Sequence, residues 1–285
     1  MTSVLLATFD LMPEGEPGGE LLVAALAEHG VDARWVRWDD HDVVWADADL
    51  VAVRSTWDYH RRLPAFLAWA GRVEAVTPLL NGAEVFAWNA DKIYLAELAD
   101  VVPVVPTAPL DDTDLAGGLA RALERWRRVV VKPRTGAGGV GVVVAESVAD
   151  PRLEGLVAGP WIVQPVVESV RTTGESSVYV LDRAPVAQVD KVAAAGELRV
   201  HELYGGSSRP VPIDPGRARV AADAVRAVEA RTGADLAYAR VDLMAWQDQW
   251  VVSELELIEP GLYLDVDPAN AERFAAMVLG RLNRS

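Results

Sequence analysis

Three acidic residues in the last quarter of the sequence could together hold a divalent cation. They lie in RVDLMAWQDQWVVSELELIEP, where two runs typical of β-strands flank QDQ at 247–249. If QDQ forms the loop of a hairpin, Asp242 stands opposite Glu254, and Glu256 points to the same side because side chains alternate along a strand. Carboxylates that face each other repel unless a cation lies between them. Oxygen ligands of this kind suit Mg²⁺.

Two alternatives to a metal site stay open for these acids at the level of sequence. A solvated acidic edge is one, because the chain has 42 Asp+Glu against 27 Lys+Arg. A salt bridge is the other, because Arg240 would oppose Glu256 in the same hairpin. The metal site is favoured when the acids are considered together with a lysine and a group of glycines that precede them in the chain.

These glycines lie in VVVKPRTGAGGVGVVV, at 129–144, directly after Lys132. Gly136, Gly138 and Gly141 spell G-x-G-x-x-G, but a dinucleotide fingerprint needs a helix next, and VGVVVAE is typical of a strand. No Gly-Lys-Ser/Thr follows, so the segment is not a P-loop. A glycine turn between strands can offer backbone N–H groups to a phosphate, and Lys132 would add a positive charge. The alternative is a plain hairpin with a solvated lysine.

The segment before residue 88 alternates strands with helices. Its predicted strands are SVLLATFD, ARWVRW, ADLVAVRST and TPLLNG. Its predicted helices are 19–29, ended by Gly30, and LPAFLAWAGRVEA. Strands separated by helices indicate a parallel sheet with crossover connections. We therefore expect an N-terminal α/β domain over 1–88.

A second unit is expected over 89–168. NADKIYLAELA predicts a short helix capped by Asn89, and a Pro-rich stretch then leads to a helix at about 112–126. The strands predicted after it are RVVVKP, VGVVVAE and WIVQPVV. This arrangement places the glycine turn at one end of a small sheet.

The pattern from 169 to 285 indicates a mainly antiparallel sheet with two flanking helices. Its predicted strands are ESSVYVLD, APVAQVDKVA, LRVHELYGG, DLAYARVDLMAW and WVVSELELIEP. RARVAADAVRAVEART predicts a helix with one apolar face at 220, 221, 224, 225 and 228, and NAERFAAMVLGRL predicts the last helix. The fold class expected for the whole chain is α/β (α+β).

Composition limits the partners of the protein. The 285 residues are 51% hydrophobic and 24% charged, which is typical of a globular protein with a substantial core. The formal net charge of −15 repels nucleic acid and anionic lipid, so any phosphate must meet a few cations focused in a cleft. The absence of cysteine excludes thiolate chemistry. Because MTSVLLATFD lacks a basic start and no apolar run approaches a membrane span, we expect a cytoplasmic location.

Between Asn89 and Pro260 the order of these motifs resembles the ATP-grasp superfamily, above all its small bacterial glutathione-synthetase-like ligases. The fold implied is an N-terminal α/β domain plus two subdomains that clamp ATP. ADKIYLAELA resembles the helix with an early phosphate-binding lysine, VVVKPRTGAGGVGVVV the central lysine with its glycine flap, and IVQPVV the adenine-binding hinge. ELELIEP gives E-x-E-x-x-x-P where glutathione synthetases have E-x-N-x-x-x-P.

The resemblance implies a role for each matching residue. The residues implied to bind ATP are Lys92, Lys132, Gly138, Gly139, Gln164, Val166, Val167 and, at the ribose, Glu175. The residues implied to meet the triphosphate or acyl phosphate are Lys191 and Arg199, and the magnesium ligands are Asp242, Glu254 and Glu256. The departure is Glu256 in place of Asn, which keeps an oxygen ligand and adds negative charge. Two Mg²⁺ ions are expected, with Mn²⁺ as a substitute.

The activity implied is that of an ATP-dependent carboxylate–amine ligase that forms ADP. The terminal phosphoryl group moves to a carboxylate of a small amino-acid-like substrate, and a nucleophile then displaces phosphate from the acyl phosphate. Around RSTWDYH, WNADKIYLAEL and ELELIEP the chain also resembles the cyclo-ligases that form cycloserine, so an intramolecular reaction is an alternative. A third hypothesis, from a different class, is an ATP-binding module without ligase turnover.

The substrate is expected between the N-terminal domain and the C-terminal sheet. RSTWDYH follows a predicted strand, and ligands of α/β sheets gather at the carboxyl ends of strands. Arg54 could hold a carboxylate there, or it could simply pair with a surface acid. Further candidates for substrate contacts are Ser55, Thr56, Asp58, Gly205 and Gly206. The expected partners are small molecules, and a homodimer is the default assembly.

Overall fold

A computed structural model of the protein describes residues 2–111, 113–136, 138–155, 160–200 and 202–284. The strands in these ranges are β1 (Thr2–Thr8), β2 (Val31–Arg37), β3 (Leu50–Val53), β4 (Ala108–Leu110), β5 (Val129–Pro133), β6 (Val143–Ala145), β7 (Trp161–Pro165), β8 (Glu175–Leu181), β9 (Ala184–Val192), β10 (Ser207–Val211), β11 (Tyr238–Trp246) and β12 (Gln249–Glu256). The helices are α1 (Gly19–Glu28), α2 (Leu63–Glu74), α3 (Gly82–Asn89), α4 (Tyr94–Leu98), α5 (Leu115–Trp126), α6 (Pro215–Thr232) and α7 (Ala269–Leu282). The strands form three sheets that follow one another along the described chain.

The first sheet is parallel in the order β2-β1-β3, so the predicted parallel α/β arrangement is confirmed. Helices cover both of its faces: Leu6 packs in a core with α1 and α7, whereas Leu5 packs in a core with α2. The prediction of a strand in TPLLNG is wrong. Only a single parallel bridge joins Leu79 to Val51, because the chain turns away into α3.

The helix boundary predicted at Asn89 is also wrong. Asn89 ends α3 and does not cap α4. Its buried side-chain amide donates to Leu255 O at 3.0 Å and accepts from Leu257 N at 3.0 Å. An amide side chain offers both a donor and an acceptor to a backbone, so Asn89 fastens the end of β12 to α3.

The second sheet has the order β4-β7-β5-β6, and β5 pairs with β6 in an antiparallel hairpin. This confirms that a strand, and not a helix, follows the glycines. β4 was not predicted, because its segment is rich in proline and lies at an edge of the sheet. We call residues 134–142, which join β5 to β6, the glycine flap; Ala137 lies outside the described residues.

The third sheet is antiparallel, in the order β10-β9-β8-β11-β12, as predicted. The strand predicted in LRVHELYGG is misplaced, since β10 begins only at Ser207. Gly205 has φ +80°, a left-handed conformation that interrupts a strand, and a short 3₁₀ turn at Glu202–Tyr204 precedes it. The helix α6 buries the five apolar positions expected from its periodicity.

The hairpin of β11 and β12 differs from the prediction in its loop but not at the acids. The turn has two residues, Gln247 and Asp248, with φ of 49° and 63°, and not the three residues of QDQ. A bulge between Asp242 and Leu243 then shifts the register by one residue. Asp242 therefore still stands opposite Glu254.

The first and third sheets share a hydrophobic core. Leu6 of β1, Tyr179 of β8 and Phe274 of α7 belong to one buried cluster. This core holds the carboxyl end of the first sheet beside β12. The domain boundaries at 88 and 168 stay predictions. Among the described helices, none has both the length and the apolar composition that a membrane crossing requires.

Candidate active site

The three predicted acids lie on one side of the hairpin of β11 and β12. The register pairs Asp242 with Glu254 and Arg240 with Glu256. Arg240 Nη2 lies 2.9 Å from Asp242 Oδ2 and also contacts Glu256 Oε1. The salt bridge that the sequence left open is therefore present, and one guanidinium joins two of the three acids.

Asp242 is the most deeply buried of these acids. It accepts hydrogen bonds from Ser177 Oγ at 2.6 Å and from Arg240 Nε at 3.0 Å, and Lys191 Nζ lies 3.3 Å away. Burial alone would raise the pKa of Asp242, but Arg240 and Lys191 outweigh it and hold the pKa well below its usual value. Asp242 is therefore a fixed negative charge under the site.

Glu254 and Lys92 form an ion pair closer to solvent, with Lys92 Nζ 2.8 Å from Glu254 Oε1. Lys92 Nζ also donates to Gly136 O at 2.8 Å, which ties it to the glycine flap. Burial alone would lower the pKa of Lys92, but Glu254 raises it above its ordinary value. The side chain of Glu254 is 31% exposed, so its carboxylate can be reached from the cleft.

Lys132 lies near the end of β5 beside this pair and is half-buried. Among the described residues, its ammonium group has no hydrogen-bond or ion-pair partner. Burial lowers the pKa of Lys132, while Glu254 acts in the opposite direction and Lys92 adds to the lowering. A cation that lacks a direct protein partner suits the binding of an anion such as a phosphate.

Glu256 has a different environment from the other two acids. Burial, together with the charges of Asp242 and Glu254, raises the pKa of Glu256 to about 7, although Arg240 opposes this. Its side chain is 26% exposed. The face of the hairpin thus carries one deeply buried acid and two that reach the cleft.

The glycine flap rests against the loop that carries Arg199. Gly138 and Gly139 have φ of 62° and 69°, and Tyr204 donates its hydroxyl to Gly138 O at 3.1 Å. A Cβ at Gly139 would lie 3.2 Å from Arg199 Cδ. Arg199 lies 3.5 Å over the Tyr204 ring and pairs with Glu197 at 2.6 Å. Arg199 is thus at the flap, as expected for a phosphate contact, but it has a protein partner.

The second predicted loop, at 204–210, adjoins the same part of the flap. Gly205 N donates to Glu202 O at 2.9 Å, and a Cβ at Gly205 would lie 3.3 Å from Ala194 Cβ. Gly206 leads directly into β10. These two glycines therefore shape the loop that supports Tyr204, and their contact with a substrate stays a prediction.

Lys191 and Glu175 form a buried pair below the cleft. Lys191 Nζ lies 2.5 Å from Glu175 Oε1, and Ser253 Oγ donates to the other oxygen at 3.1 Å. Burial alone would lower the pKa of Lys191, but Asp242 and Glu175 raise it. Both residues lie near the acids, as expected, but each already has protein partners, so their contacts with phosphate and ribose stay predictions.

The predicted hinge residues lie at the end of β7 and directly after it. Gln164, Val166 and Val167 are all buried. Gln164 Nε2 donates to Thr107 Oγ1 at 2.8 Å, and Val166 N donates to Arg128 O at 3.2 Å. These bonds fix the segment, but they do not test whether it contacts adenine.

Arg54 occupies a different environment from the one expected for a substrate contact. Its side chain is fully buried, with Nη2 3.2 Å from Glu16 Oε1 and hydrogen-bonded to Pro260 O. Its guanidinium also lies 4.5 Å from the centre of the Phe274 ring. The expectation that Arg54 holds a substrate carboxylate conflicts with this enclosed and paired position, because a substrate would have to displace Glu16.

The residues after Arg54 differ in whether their polar side-chain atoms have hydrogen-bond partners. Ser55 Oγ donates to Thr8 Oγ1 at 2.8 Å, and Asp58 accepts from Trp38 Nε1 at 2.9 Å. Thr56 Oγ1 is buried and has no hydrogen-bond partner within the described part of the chain. Among the predicted substrate residues of this segment, Thr56 Oγ1 and Arg54 Nε are thus the described polar atoms that are buried without a hydrogen-bond partner.

Comparison with known proteins shows the family of the chain. A family model described as the N-terminal domain of D-cycloserine synthetase DcsG matches residues 4–81. Over 278 residues the chain is 34% identical to the cycloserine biosynthesis protein DcsG of Streptomyces lavendulae, and the alignment covers 92% of each. The chain belongs to the DcsG family. It is an ATP-dependent ligase of the ATP-grasp superfamily.

Solved structures place the DcsG-family chain in the same fold. The crystal structure of D-cycloserine synthetase DcsG superimposes with a TM-score of 0.87 at 30% identity, covering 98% of this chain and 99% of that one. The ATP-grasp ligase PsnB, solved with a minimal precursor, Mg and ADP, gives a TM-score of 0.66 at 19% identity over 98% of both chains. The ATP-grasp fold predicted from the sequence is therefore confirmed.

The acids of this family member offer the oxygen donors that Mg²⁺ prefers, although their arrangement in this structure is not that of a closed ion site. No group of three or more acidic or histidine side chains among the described residues has the spacing to hold an ion by itself. The reason is that Asp242, Glu254 and Glu256 are each held by a cation. Their oxygen donors nevertheless suit Mg²⁺, and Glu254 and Glu256 reach the cleft.

The distribution of lysine is a signal that the motifs alone did not reveal. This DcsG-family chain has only three lysines, and every other residue counted under Lys+Arg is an arginine. All three, Lys92, Lys132 and Lys191, lie around the acids. A lysine ammonium is a compact point charge, whereas an arginine guanidinium is a planar fork that suits surface carboxylates. The restriction of lysine to one cleft is consistent with a phosphate site there, and that assignment stays a prediction.

Tyr59 and Glu259 were also not predicted. Both are buried, with exposures of 5% and 7%, and the charges of Glu254 and Glu256 affect the pKa of each. Burial raises the pKa of Tyr59, and the charges of Glu259, Glu254 and Glu256 add to this effect. Tyr59 stands within RSTWDYH and Glu259 within ELELIEP, so both lie in segments that the sequence singled out, although neither residue was predicted itself.

Proposed function

We propose that this ligase activates the carboxylate of a small amino acid with ATP and then closes a ring within the same molecule. The support for ring closure is the kinship with DcsG, whose names describe cycloserine biosynthesis and D-cycloserine synthesis. The observation that carries the ATP step is the convergence of the three lysines on the acids beside the glycine flap.

The nucleotide end of the proposed site consists of Lys132, Lys92 and the glycine flap. Lys132 has no competing partner among the described residues, so it is the first cation that a triphosphate would meet. Lys92 contacts both Glu254 and Gly136 O. A phosphate bound near Lys92 would therefore affect the contacts of the acids and those of the flap. Gln164, Val166, Val167 and Glu175 are proposed to bind adenine and ribose, as in other ATP-grasp ligases.

The chemistry proposed has two steps that balance without an external oxidant or reductant. The terminal phosphoryl group of ATP passes to a carboxylate oxygen of the substrate, which leaves ADP and an acyl phosphate. A nucleophilic atom of the same substrate then attacks the carbonyl carbon, the bond to phosphate oxygen breaks, and the nucleophile loses a proton. Positioning and charge neutralisation by this chain carry most of the work, and the flap excludes the water that would hydrolyse the acyl phosphate.

Mg²⁺ is the proposed metal, held by Glu254 and Glu256 at the cleft with Asp242 beneath them. When bound, it would neutralise phosphate oxygens and orient the transferred group. Two ions, with Mn²⁺ as a substitute, fit a set of three carboxylates, and their number is part of the proposal. Arg240 is proposed to hold Glu256 in position, and Lys191 to hold Asp242.

The substrate end is proposed to lie at the carboxyl edge of the first sheet, in front of Thr56. Arg199, Gly205 and Gly206 would close over the substrate from the flap side. The partners are therefore small molecules, and the N-terminal segment, the flap segment and the C-terminal sheet would act as three parts that enclose them. In view of its burial, Arg54 is proposed to support this edge and not to touch the substrate.

An assay of ADP release across a panel of amino acids tests the proposal. Cycloserine is the dehydrated ring of 2-amino-3-(aminooxy)propanoate, so both enantiomers of this compound belong in the panel. We expect one amino acid to stimulate ADP release without a second substrate, and the product mass to show ring closure. A requirement for a separate amine would support an intermolecular ligase instead. Binding of MgATP without ADP release for any amino acid would support a nucleotide-binding module.

A further inference from the structure

Glu259 lies where β12 leaves the third sheet and meets the edge of the first sheet. Its backbone oxygen accepts a hydrogen bond from Trp57 Nε1 at 3.2 Å, and the next residue, Pro260, accepts one from Arg54. Ile258, the preceding residue, packs in the core of the first sheet. Glu259 is thus held at the seam between the strands that carry the acids and the loop that carries Thr56.

The side chain of Glu259 is buried, and its carboxyl group has no partner among the described residues. Its exposure is only 7%, and no described residue forms a hydrogen bond or an ion pair with its side chain. Each of the other acids of the cluster has a cation against it, as with Asp242, Glu254 and Glu256. A buried carboxyl without partners is costly, and burial accordingly raises the pKa of Glu259 well above its ordinary value. A ligand that donates hydrogen bonds to this carboxyl group would offset that cost.

Tyr59 packs in the same buried cluster as Ile258, the residue that precedes Glu259. It belongs to the loop after β3, its side chain is buried, and its hydroxyl has no hydrogen-bond partner among the described residues. Apart from burial, the charge of Glu259 is the strongest influence on the pKa of Tyr59. Two polar groups from distant segments, neither with a described partner, are therefore close to each other at the seam.

The charges around Glu259 indicate which kind of ligand could satisfy its carboxyl group. Glu256, Lys92, Arg240 and Glu254 are the charged groups that act on Glu259. The two cations among them are already engaged, Lys92 with Glu254 and Arg240 with Glu256. A compact cation with several N–H donors would satisfy Glu259 and could also donate to the Tyr59 hydroxyl. An ammonium group has this chemistry.

We propose that Glu259 and Tyr59 form the subsite that binds the α-ammonium group of the amino-acid substrate. This inference rests on the proposed function, which places the substrate carboxylate beside the acids and lysines. The carboxylate and the ammonium group of an α-amino acid are attached to the same carbon. Glu259 is three residues beyond Glu256 on the same segment. It therefore follows directly on the acids beside which the phosphoryl group would be transferred. Glu259 accepts hydrogen bonds from the ammonium group, and Tyr59 orients it.

The test compares an amino acid with its analogue that lacks the amino group. The first pair is 2-amino-3-(aminooxy)propanoate and 3-(aminooxy)propanoate, with ADP release as the readout. A site built around a buried polar group rejects a ligand without the matching group strongly, so we expect a preference of about 100-fold or more in kcat/KM for the amino compound. Glu259→Gln, which keeps the shape of the side chain, should abolish this preference, chiefly by raising KM for the amino compound.

Three controls separate this role from others. Glu259→Asp should restore part of the preference, Tyr59→Phe should weaken it less than Glu259→Gln, and KM for ATP should not change in any of them. A loss that is equal for both compounds would make Glu259 structural and overturn the proposal. A raised requirement for Mg²⁺ in Glu259→Gln would make it a metal ligand, which also overturns it. Unchanged MgATP binding shows that each variant is folded.

Failure of the proposed function gives a different result. If the wild-type protein uses neither aminooxy compound, ring closure to cycloserine is wrong. The same variants are then compared on whichever panel amino acid does release ADP and on its analogue without the amino group. A preference that Glu259→Gln removes supports the subsite, and a preference that survives overturns it. If no amino acid releases ADP, the proposed function and the subsite both fall.

Discussion

Asp242 and Glu254 stand opposite each other on two strands, yet burial separates what each does. Asp242 has 4% of its side chain exposed and pairs with Arg240 and Lys191, whereas Glu254 has 31% exposed and, among the described residues, pairs with Lys92 alone. Removing the charge of Asp242 leaves two buried cations with too few partners. Removing the charge of Glu254 leaves one lysine that can still reach Gly136 O. The loss of unfolding free energy on removing each charge should therefore distinguish the two acids.

We expect both Asp242→Asn and Glu254→Gln to lower ligase turnover by about 100-fold or more, because each removes a negative charge and one of two carboxylate oxygens from the proposed metal site. Only Asp242→Asn should also cost about 3–5 kcal/mol of unfolding free energy, since it breaks a buried ion-pair network. The measurements are ADP release and urea denaturation. Full turnover in both variants would remove these acids from the metal site.

The three lysines permit a direct measurement of the cleft. Because the chain has no other lysine, an amine-acylating reagent can modify only these side chains and the terminal amine. Lys132 should react faster than Lys191, since its ammonium has no described partner and its pKa is lowered by burial, whereas the pKa of Lys191 is raised. MgATP should protect Lys132 and Lys92, as followed by peptide mass spectrometry. Equal labelling of Lys132 with and without MgATP would contradict its assignment to the triphosphate.

The glycine flap contains two residues whose backbone conformation is available mainly to glycine. Gly138 and Gly139 both have positive φ, where an L-residue costs roughly 1–2 kcal/mol. Their surroundings differ, since a Cβ at Gly138 would meet open space and a Cβ at Gly139 would meet Arg199 and Tyr204. Substitutions at these two positions therefore separate the effect of backbone strain from the effect of contact with the loop that carries Arg199.

Gly139→Ala should raise KM for ATP several-fold more than Gly138→Ala, because it adds a steric contact to the same backbone strain. Steady-state kinetics with varied ATP at saturating substrate measure the difference. Melting temperatures of the two variants provide the control for general destabilisation. Equal effects of the two substitutions would show that closure of the flap against Arg199 does not matter for ATP binding.

At the scale of the whole molecule, the first and third sheets meet at the seam described above, and Arg54 is buried there. Arg54 bonds to Glu16 and to Pro260 O and packs over Phe274, so it joins the loop after β3, the segment before α1 and the chain after β12. The same seam contains Glu259 and Tyr59. A structural role for Arg54 would therefore position the proposed substrate site without contact with the substrate.

Arg54→Lys should lower the unfolding free energy by about 3–5 kcal/mol, because one ammonium group cannot replace the fork that serves Glu16 and Pro260 O together in a buried place. The midpoint of urea denaturation, with an unchanged slope, is the measurement. The opposite result, a stable protein with a large rise in KM for the carboxylate substrate, would restore the substrate contact that the sequence suggested.

Local patterns in the sequence were sufficient for most elements and for the shared face of the acids. Alternating β-rich runs predict the hairpin of β11 and β12, and side chains two residues apart must point to one side of it. A strand after the glycines excludes a dinucleotide site, since that site needs a helix there. The order of the lysine, the flap and the acids then identifies the ATP-grasp fold.

Only the tertiary structure decided which polar groups have partners. Asn89 reads locally as a helix cap, yet its amide binds the backbone of β12, and Arg54 reads as an exposed strand end, yet Glu16 and Pro260 enclose it. Their partners are far away in the chain, and the periodicity of a segment states which face it buries but not what covers that face. For the same reason the sequence shows Glu259 as one more acid, and only the packing of two sheets leaves its carboxyl without a described partner beside Tyr59.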